Sequence, residues 1–387
     1  DPEMSRGLGD VYKRQEIFGS DNSAWKFTKD GLPILNDVGG TQFSELPKCM
    51  TGVGFDGFGI KTNPYLIEDV EDLKLLAKKV NSGTTYERTY FKLTANIDLN
   101  NEPNWTPIGK SGLPFQGTFD GYGYQITNLK ISNGGQYAGL FGYTKGAVIK
   151  NCNVTGEING YNYTGGIVGS ANVNTKIRNC SFQGNVEGNG EKRGGIVGHT
   201  SIGCDVSGCF VTGTVTGEKF VGGIAGWGAG TIKNCYALAN VTATGVSAGG
   251  IAGYYCSNFT IENCYYSGNV SAKWAGGIAG YVSESISGST EIKNCVSLAE
   301  SVTAGINSVN RIAGGVRDNI NLINNHSYNR TKLVIDSKPA YPTGGAGNDV
   351  IGADVYISNG RVMKDVQKGE VLSLIHISEP TRHLRIS

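Results

Sequence analysis

A glycine-aliphatic pentapeptide recurs down this chain, with an Asn-Cys tetrapeptide interleaved between its copies. The first reads AGLFG at 138–142, GGIVG at 165–169 and 194–198, and GGIAG at 222–226, 249–253 and 276–280, with a degenerate RIAGG at 311–315. Successive copies stand 27, 29, 28, 27 and 27 residues apart. The second reads IKNC at 149–152, IRNC at 177–180, VSGC at 206–209, IKNC at 232–235, IENC at 261–264 and IKNC at 292–295, and LINN at 322–325 closes the series. A period of this length, held over so many copies, means a solenoid in which each repeat buries its apolar face against its neighbours.

Runs such as GGIAGW and NCYALANVTATG carry too much Gly, Thr, Val and Asn for helices. The leucine scaffold of a leucine-rich repeat is missing. Short β-type runs, broken by Gly and Asn, predict about three short strands per coil. The expected fold is therefore all-β, a single-stranded parallel β-helix with coils of about 27–29 residues. Each strand would pair with its equivalent one coil away at ~4.8 Å, so equivalent residues form columns along the axis.

Leu140, Ile167, Ile196, Ile224, Ile251 and Ile278 form one aliphatic column by this reading, and Ile149, Ile177, Val206, Ile232, Ile261 and Ile292 a second. The position before the Cys holds Asn151, Asn179, Gly208, Asn234, Asn263 and Asn294. Asn and Gly share a tolerance of positive φ, which predicts a tight left-handed corner with stacked amides. Cys152, Cys180, Cys209, Cys235, Cys264 and Cys295 then turn inward as a buried column of small residues. Neighbours in such a column have parallel side chains one strand spacing apart, beyond disulfide reach, so free thiols are expected. No CxxC occurs, and no metal site or cofactor is expected.

Composition fits a solenoid and excludes other classes. The chain has 59 Gly but 10 Pro, without a G-X-Y period, which excludes collagen. Apolar residues make up 39%, too many for a disordered tract. A net charge of +1 gives no electrostatic case for nucleic acid, and no apolar stretch is long enough to insert in a membrane.

The two ends read as non-protein. One set of codons for SRGLGDVYKRQ (5–15), reverse-complemented, translates without mismatch into LSLIHISEPTR (372–382). The expectation is that 1–15 and 372–387 are translated sequencing adapter and 16–371 a piece of a longer bacterial protein of metagenomic type. Within it, 16–63 reads as the end of a preceding unit plus a linker, 64–330 as the β-helix, and 331–371 as a β-rich appendage or linker. A helix over 67–81, with Val70, Leu73, Leu76 (or Ala77) and Val80 at helical spacing, would cap the open N-terminal end. The opening coils are expected over 90–100 and 115–132.

The GLFG, GGIVG and GGIAG repeats, with the approach NIDLNNEPNWTPIG and FQGTFDGYGYQITNLKI, resemble the GLUG-motif family of bacterial surface proteins. The likeness covers roughly 64–330, with repeats of GLUG type over 138–330. It implies a secreted or cell-surface β-solenoid, and some relatives accompany IgA-specific metallopeptidases. Peptidase activity does not transfer, because the chain has no HExxH.

Chemistry is harder to find. A carbohydrate-active β-helix enzyme would need convergent carboxylates, yet between 136 and 330 the aspartates are only Asp205 and Asp318. Asp120 in FDGYG reads as a turn closed by Gly121. His199 reads as a solitary surface imidazole. GGAGNDVIG (344–352) matches a calcium nonapeptide without the second copy such sites need, and reads as a Gly-rich turn. Lys150, Arg178, Lys233 and Lys293 read as an ordinary solvated face. The candidate binding residues are Trp227, Tyr254 and Tyr281 on consecutive coils, with Tyr143 further along, an exterior strip about 10 Å long. Such rings would stack on glycans or anchor surface proteins, or else pack beneath a loop. The reading is a non-enzymatic, adhesin-like surface or rigid stalk on a bacterial surface. The alternatives are a carbohydrate-active β-helix enzyme or the accessory region of a surface peptidase.

Overall fold

The computed structural model describes residues 54–283, 291–305, 309–316, 320–328 and 331–335, with short strand segments at 25–26, 34–35, 338–339, 353–358 and 361–364. The adapter-like ends and GGAGNDVIG lie outside the described residues.

The chain folds into a parallel β-solenoid of about nine coils. Register shows this directly. Phe91, Phe119, Ile149, Ile177, Val206, Ile232, Ile261 and Ile292 pair in sequence from coil to coil. Tyr65 precedes this series and Leu322 follows it. The opening coils thus share the column of the later ones. At ~4.8 Å per coil, the column is about 43 Å long.

The strands of the solenoid lie in three sheets. Sheet I holds the segment after the Gly pair, such as Val168–Asn172, and the segment ending at the Asn corner, such as Lys176–Arg178. In two coils these fuse into single strands, Ala225–Lys233 and Ala252–Glu262. Most coils therefore carry four segments in three sheets, one more than the sequence suggests. Sheet II follows the corner, with Asn153–Asn159, Ser181–Glu187, Phe210–Gly217 and Tyr236–Ala243. Sheet III is narrow and precedes the Gly pair, with Tyr163–Gly165, Lys192–Gly194, Phe220–Gly222, Ser247–Gly249 and Trp274–Gly276.

The Gly pair turns sheet III into sheet I. At this turn Ile196 O accepts from both Ile167 N–H and Val168 N–H at 3.0 Å, and Ile224 O, Ile251 O, Ile278 O and Ile312 O repeat the arrangement. Leu140, Ile167, Ile196, Ile224, Ile251, Ile278 and Ile312 are completely buried. At the other corner Asn151, Asn179, Asn234, Asn263, Asn294 and Asn324 have φ of 51–54°. Their amides bond along the axis: Asn179 Nδ2 donates to Asn151 Oδ1 at 3.4 Å, Asn263 to Asn234 at 3.2 Å and Asn324 to Asn294 at 2.9 Å. Gly208 interrupts this ladder: it keeps the left-handed corner, with φ 64°, but brings no amide.

The residue after each corner points inward. Cys152, Cys180, Cys209, Cys235, Cys264 and Cys295 are buried free thiols. Cys180, Cys209, Cys235, Cys264 and Cys295 each lie 3.6–3.8 Å from a carbonyl of the preceding coil, the geometry of a weak S–H donor. Burial pushes the Cys152, Cys209 and Cys264 thiols well above their ordinary range, so they behave as small apolar filler. Asn325 ends the column with its amide satisfied, accepting from Cys295 N–H at 3.0 Å and donating to Ile292 O at 2.8 Å.

Helix α1, Val70–Asn81, covers the N-terminal end with Leu73, Leu76, Ala77 and Val80 buried in the common core. It begins at Val70, not at 67. Tyr65–Ile67 is a strand, and Asp69 is an extended N-cap whose side chain accepts from Asp72 N–H. Phe55, upstream of 64, belongs to the same core and packs its ring 5.4 Å from both Tyr65 and Phe91. At the C-terminal end, Lys332–Ile335 and Ala353–Ser358 add in parallel to sheet II, beside Ser301–Ala304 and His326–Tyr328.

Candidate functional site: a double aromatic ladder

The residue after GGIxG points outward from sheet I. Register aligns Tyr143, Ser170, His199, Trp227, Tyr254 and Tyr281 in one column. A second column, not seen in the sequence reading, lies beside it across the Gly turn. It comprises Tyr137, Tyr163, Lys192, Phe220, Ser247 and Trp274, two residues before each Gly pair or its equivalent. The signal was legible: outward position, Gly pair and second outward position recur with six- or seven-residue spacing. The strip covers six consecutive coils, about 24 Å and not 10 Å. Its aromatic members are all half-buried, whereas Ser170 and Ser247 are buried beneath their neighbours.

Ring geometry alters what the strip can do. Tyr254 and Tyr281 stack at 5.3 Å with planes 5° apart, His199 and Trp227 at 5.0 Å and 18°, and Tyr137 and Tyr163 at 4.9 Å and 11°. The coil rise holds successive rings near stacking distance, so Tyr137, Tyr163, His199, Trp227, Tyr254 and Tyr281 spend a face on a column neighbour, whereas Tyr143, Phe220 and Trp274 meet other rings edge-on or tilted. Outward the stacked rings offer edges and hydroxyls. Face-on stacking with sugars, one of the expected modes, is therefore confined to rings without a stacked partner on both sides. Across the two columns, Tyr137 meets Tyr143 edge-on at 5.2 Å, and Trp274 meets Tyr281 at 5.4 Å. Lys192 extends its ammonium over Tyr163 and Trp227, 4.6 and 4.5 Å from the ring centroids. It fills the one coil of its column between two rings with a cation–π contact.

His199 is a member of this ladder and not a solitary surface imidazole. Its Nδ1 lies 2.9 Å from Ser170 Oγ, which itself accepts from Asn172 Nδ2 at 3.0 Å. The Ser170 proton is thus free to donate to Nδ1, placing the ring proton on Nε2. Burial, with the Lys192 charge adding to it, pulls the imidazole down to about 4 from 6.5. The unfolded chain therefore binds a proton below about pH 6.5 that the native chain refuses. The associated stability is present above 6.5 and is lost as pH falls to about 4. We expect a loss of about 1–2 kcal/mol across that window after allowing for solvent screening. Thermal melts from pH 7 to pH 4 check this; His199→Gln should remove that part of the slope.

The carboxylates near the Asn corner are engaged structurally. Lys150 pairs with Asp120 at 2.7 Å, Arg178 with Asp205 at 2.8 Å and Lys293 with Glu291 at 3.1 Å. Asp120 also accepts from Tyr122 N–H and Asn151 Nδ2. Partial burial pushes its carboxyl up, but the bonds from Lys150, Asn151 and Tyr122 outweigh this and hold it below its ordinary value. The Lys/Arg column is a ladder of exposed ion pairs, each a small contribution. Among the described residues no group of three or more His, Cys, Asp or Glu could hold a metal ion.

The fold and strip define a parallel β-solenoid with a laddered aromatic face. No family model matches the chain. It is 35% identical over 108 residues, 26% of its length, to a Gly-rich membrane protein of Evansella cellulosilytica. It is 37% identical over 124 residues, 30% of its length, to Halomucin of Haloquadratum walsbyi. These matches span 12% and 1% of the two relatives. Among solved structures it resembles an IgA1 protease with TM-score 0.51 and 19% identity, covering 68% of this chain and 21% of that one. An immunoglobulin A1 protease-like protein of Bacteroides ovatus gives TM-score 0.47 and 24% identity over 76% of this chain and 83% of that one. Among the described residues no helix is long and apolar enough to cross a membrane.

Proposed function

We propose that this chain is a non-catalytic, adhesin-like β-solenoid of a secreted or cell-surface protein, a rigid stalk that displays the aromatic strip as a protein-binding face. One observation carries the reading: half-buried Tyr, Trp and Phe side chains occupy two adjacent outward columns in five of six consecutive coils, with Lys192 and His199 in the sixth. Half-exposed Tyr and Trp are the residues that anchor protein interfaces, and here neighbouring rings hold them in place before binding. With the faces of most rings occupied, edges and hydroxyls suit a protein surface better than a sugar face. The names of the similar proteins, a membrane protein, a mucin and IgA1 proteases, are of extracellular type and support that setting. The carboxylates of the corner ladder pair with Lys and Arg, which supports a non-catalytic role.

The test compares the full chain with its Trp227→Ala/Tyr254→Ala double variant on an array of secreted and mucosal proteins, immunoglobulin A included, and on a glycan array. Binding to at least one protein should fall about tenfold or more at matched thermal stability. Equal binding by the variant sinks the strip as the binding face, and loss confined to glycans reassigns its partner. Turnover of any arrayed protein or glycan refutes the non-catalytic reading.

A further inference from the structure

We infer a second binding face, on the outside of sheet II, for an uncharged, extended polysaccharide lying parallel to the solenoid axis. It lies on a different sheet from the aromatic strip and does not depend on it. Two outward ranks carry it. The first runs Thr214, Asn240, Asn269 and Ser301, and the second Thr216, Thr242, Ser271 and Thr303, with coil-to-coil register along both. All are half-buried or exposed, short and neutral. Within the ranks themselves charges stand at the ends, with Glu157 and Glu187 before them and Lys332 after, while exposed Glu218, Lys273 and Glu300 flank them.

The side chains of the first rank are already ordered. Thr214 Oγ1 donates to Asn185 Oδ1 at 2.8 Å, Asn269 Nδ2 to Asn240 Oδ1 at 3.2 Å, and Ser301 Oγ to Asn269 Oδ1 at 2.6 Å. A ligand would find hydroxyls and amides whose rotamer entropy is largely spent. The stacked rings of Phe210 and Tyr236, 5.1 Å apart, border the ranks on the corner side, and exposed Leu238 offers an apolar spot among them.

Shape, period and charge select the occupant. One sugar of an extended chain is slightly longer than one coil rise, so successive sugars stay close to equivalent hydroxyl and amide pairs over about four coils. The absence of charge within the ranks disfavours acidic glycans, which would leave the Glu residues at one end opposed to like charge. A second copy of the chain is a poor fit, because the neutral patch measures only about 300 Å² and a stable dimer buries about 800 Å² per partner.

Calorimetric titration of the full chain with cello- and manno-oligosaccharides of increasing length tests this. Affinity should rise up to about four or five sugars and then level off. It should be unchanged between about 50 and 500 mM salt. Thr242→Lys should weaken binding at least about tenfold, as should Ser271→Glu on the next coil, each checked for an unchanged melt. Trp227→Ala/Tyr254→Ala should leave it intact, so failure here and failure of the strip are separable. No saturable binding to either series would overturn the inference. So would length-independent affinity, indifference to both charged variants, preference for oligogalacturonate, or a dimer that Thr242→Lys dissolves.

Discussion

Gly223→Ala should cost the solenoid on the order of 4–5 kcal/mol, an extreme loss for one added methyl. A Cβ on Gly223 would run into the carbonyl oxygen of Gly250 on the next coil and lie 2.8 Å from Ala237 Cβ. Neither neighbour can yield cheaply. Gly223 N–H donates to Gly249 O, and Ile224 N–H to Ile251 O at 2.9 Å, so moving the turn breaks the ladder on both sides. Gly135→Ala is the control. Gly135 is exposed, with nothing within 4 Å of its Cβ position, and should change stability by less than about 0.5 kcal/mol. Urea unfolding followed by far-UV dichroism and tryptophan fluorescence measures both; a Gly223→Ala midpoint near that of the parent would refute the close-approach account. Divergence of the two probes would show coils opening singly, as solenoids with nearest-neighbour stability can.

Arg193→Ala should cost about 3–5 kcal/mol for a different reason. Arg193 is completely buried, in an interior column that otherwise holds Ala138, Thr164, Val221, Ala248, Ala275 and Val309. Its guanidinium closes the turns between sheets II and III. Nη2 donates to Gly160 O at 2.7 Å and Tyr161 O at 2.8 Å, and Nη1 donates to Gly190 O. Burial pulls its pKa down to about 10, with Glu218 opposing, so it remains charged at neutral pH. Removing the fork leaves those carbonyls without this donor and opens a cavity. Arg193→Lys keeps the charge but cannot span the carbonyls, and should recover less than half of the loss. Full recovery by Lys would show that charge alone, and not the planar fork, holds the turns.

Much of the fold was legible because a solenoid translates sequence period directly into spatial neighbours. Once the coil length is known, Ile251 must stack on Ile224, and the Asn before each Cys must recur at the same corner. The opening coils were harder to read, since Phe91 and Phe119 occupy the aliphatic column outside the GG and NC motifs. The second aromatic column was available in the same spacing, two residues before each Gly pair, but Lys192 and Ser247 interrupt its chemistry. Arg193 was visible too, as a charge at a position otherwise held by Ala, Thr or Val, but its turn-carbonyl partners were not.

The sequence by itself determined the coil length, the inward columns of Ile and Cys and the Asn corner, because these follow from a strict period and from which residues tolerate positive φ. Only the tertiary structure decided how the outward side chains sit. Ring orientation depends on the coil rise and on the side chains of adjacent coils, which turned six rings of the strip face to face along their columns and set the others edge-on or tilted. The same packing placed His199 between Tyr163 and Trp227, and ordered the first neutral rank of sheet II through bonds between residues a full coil apart in sequence.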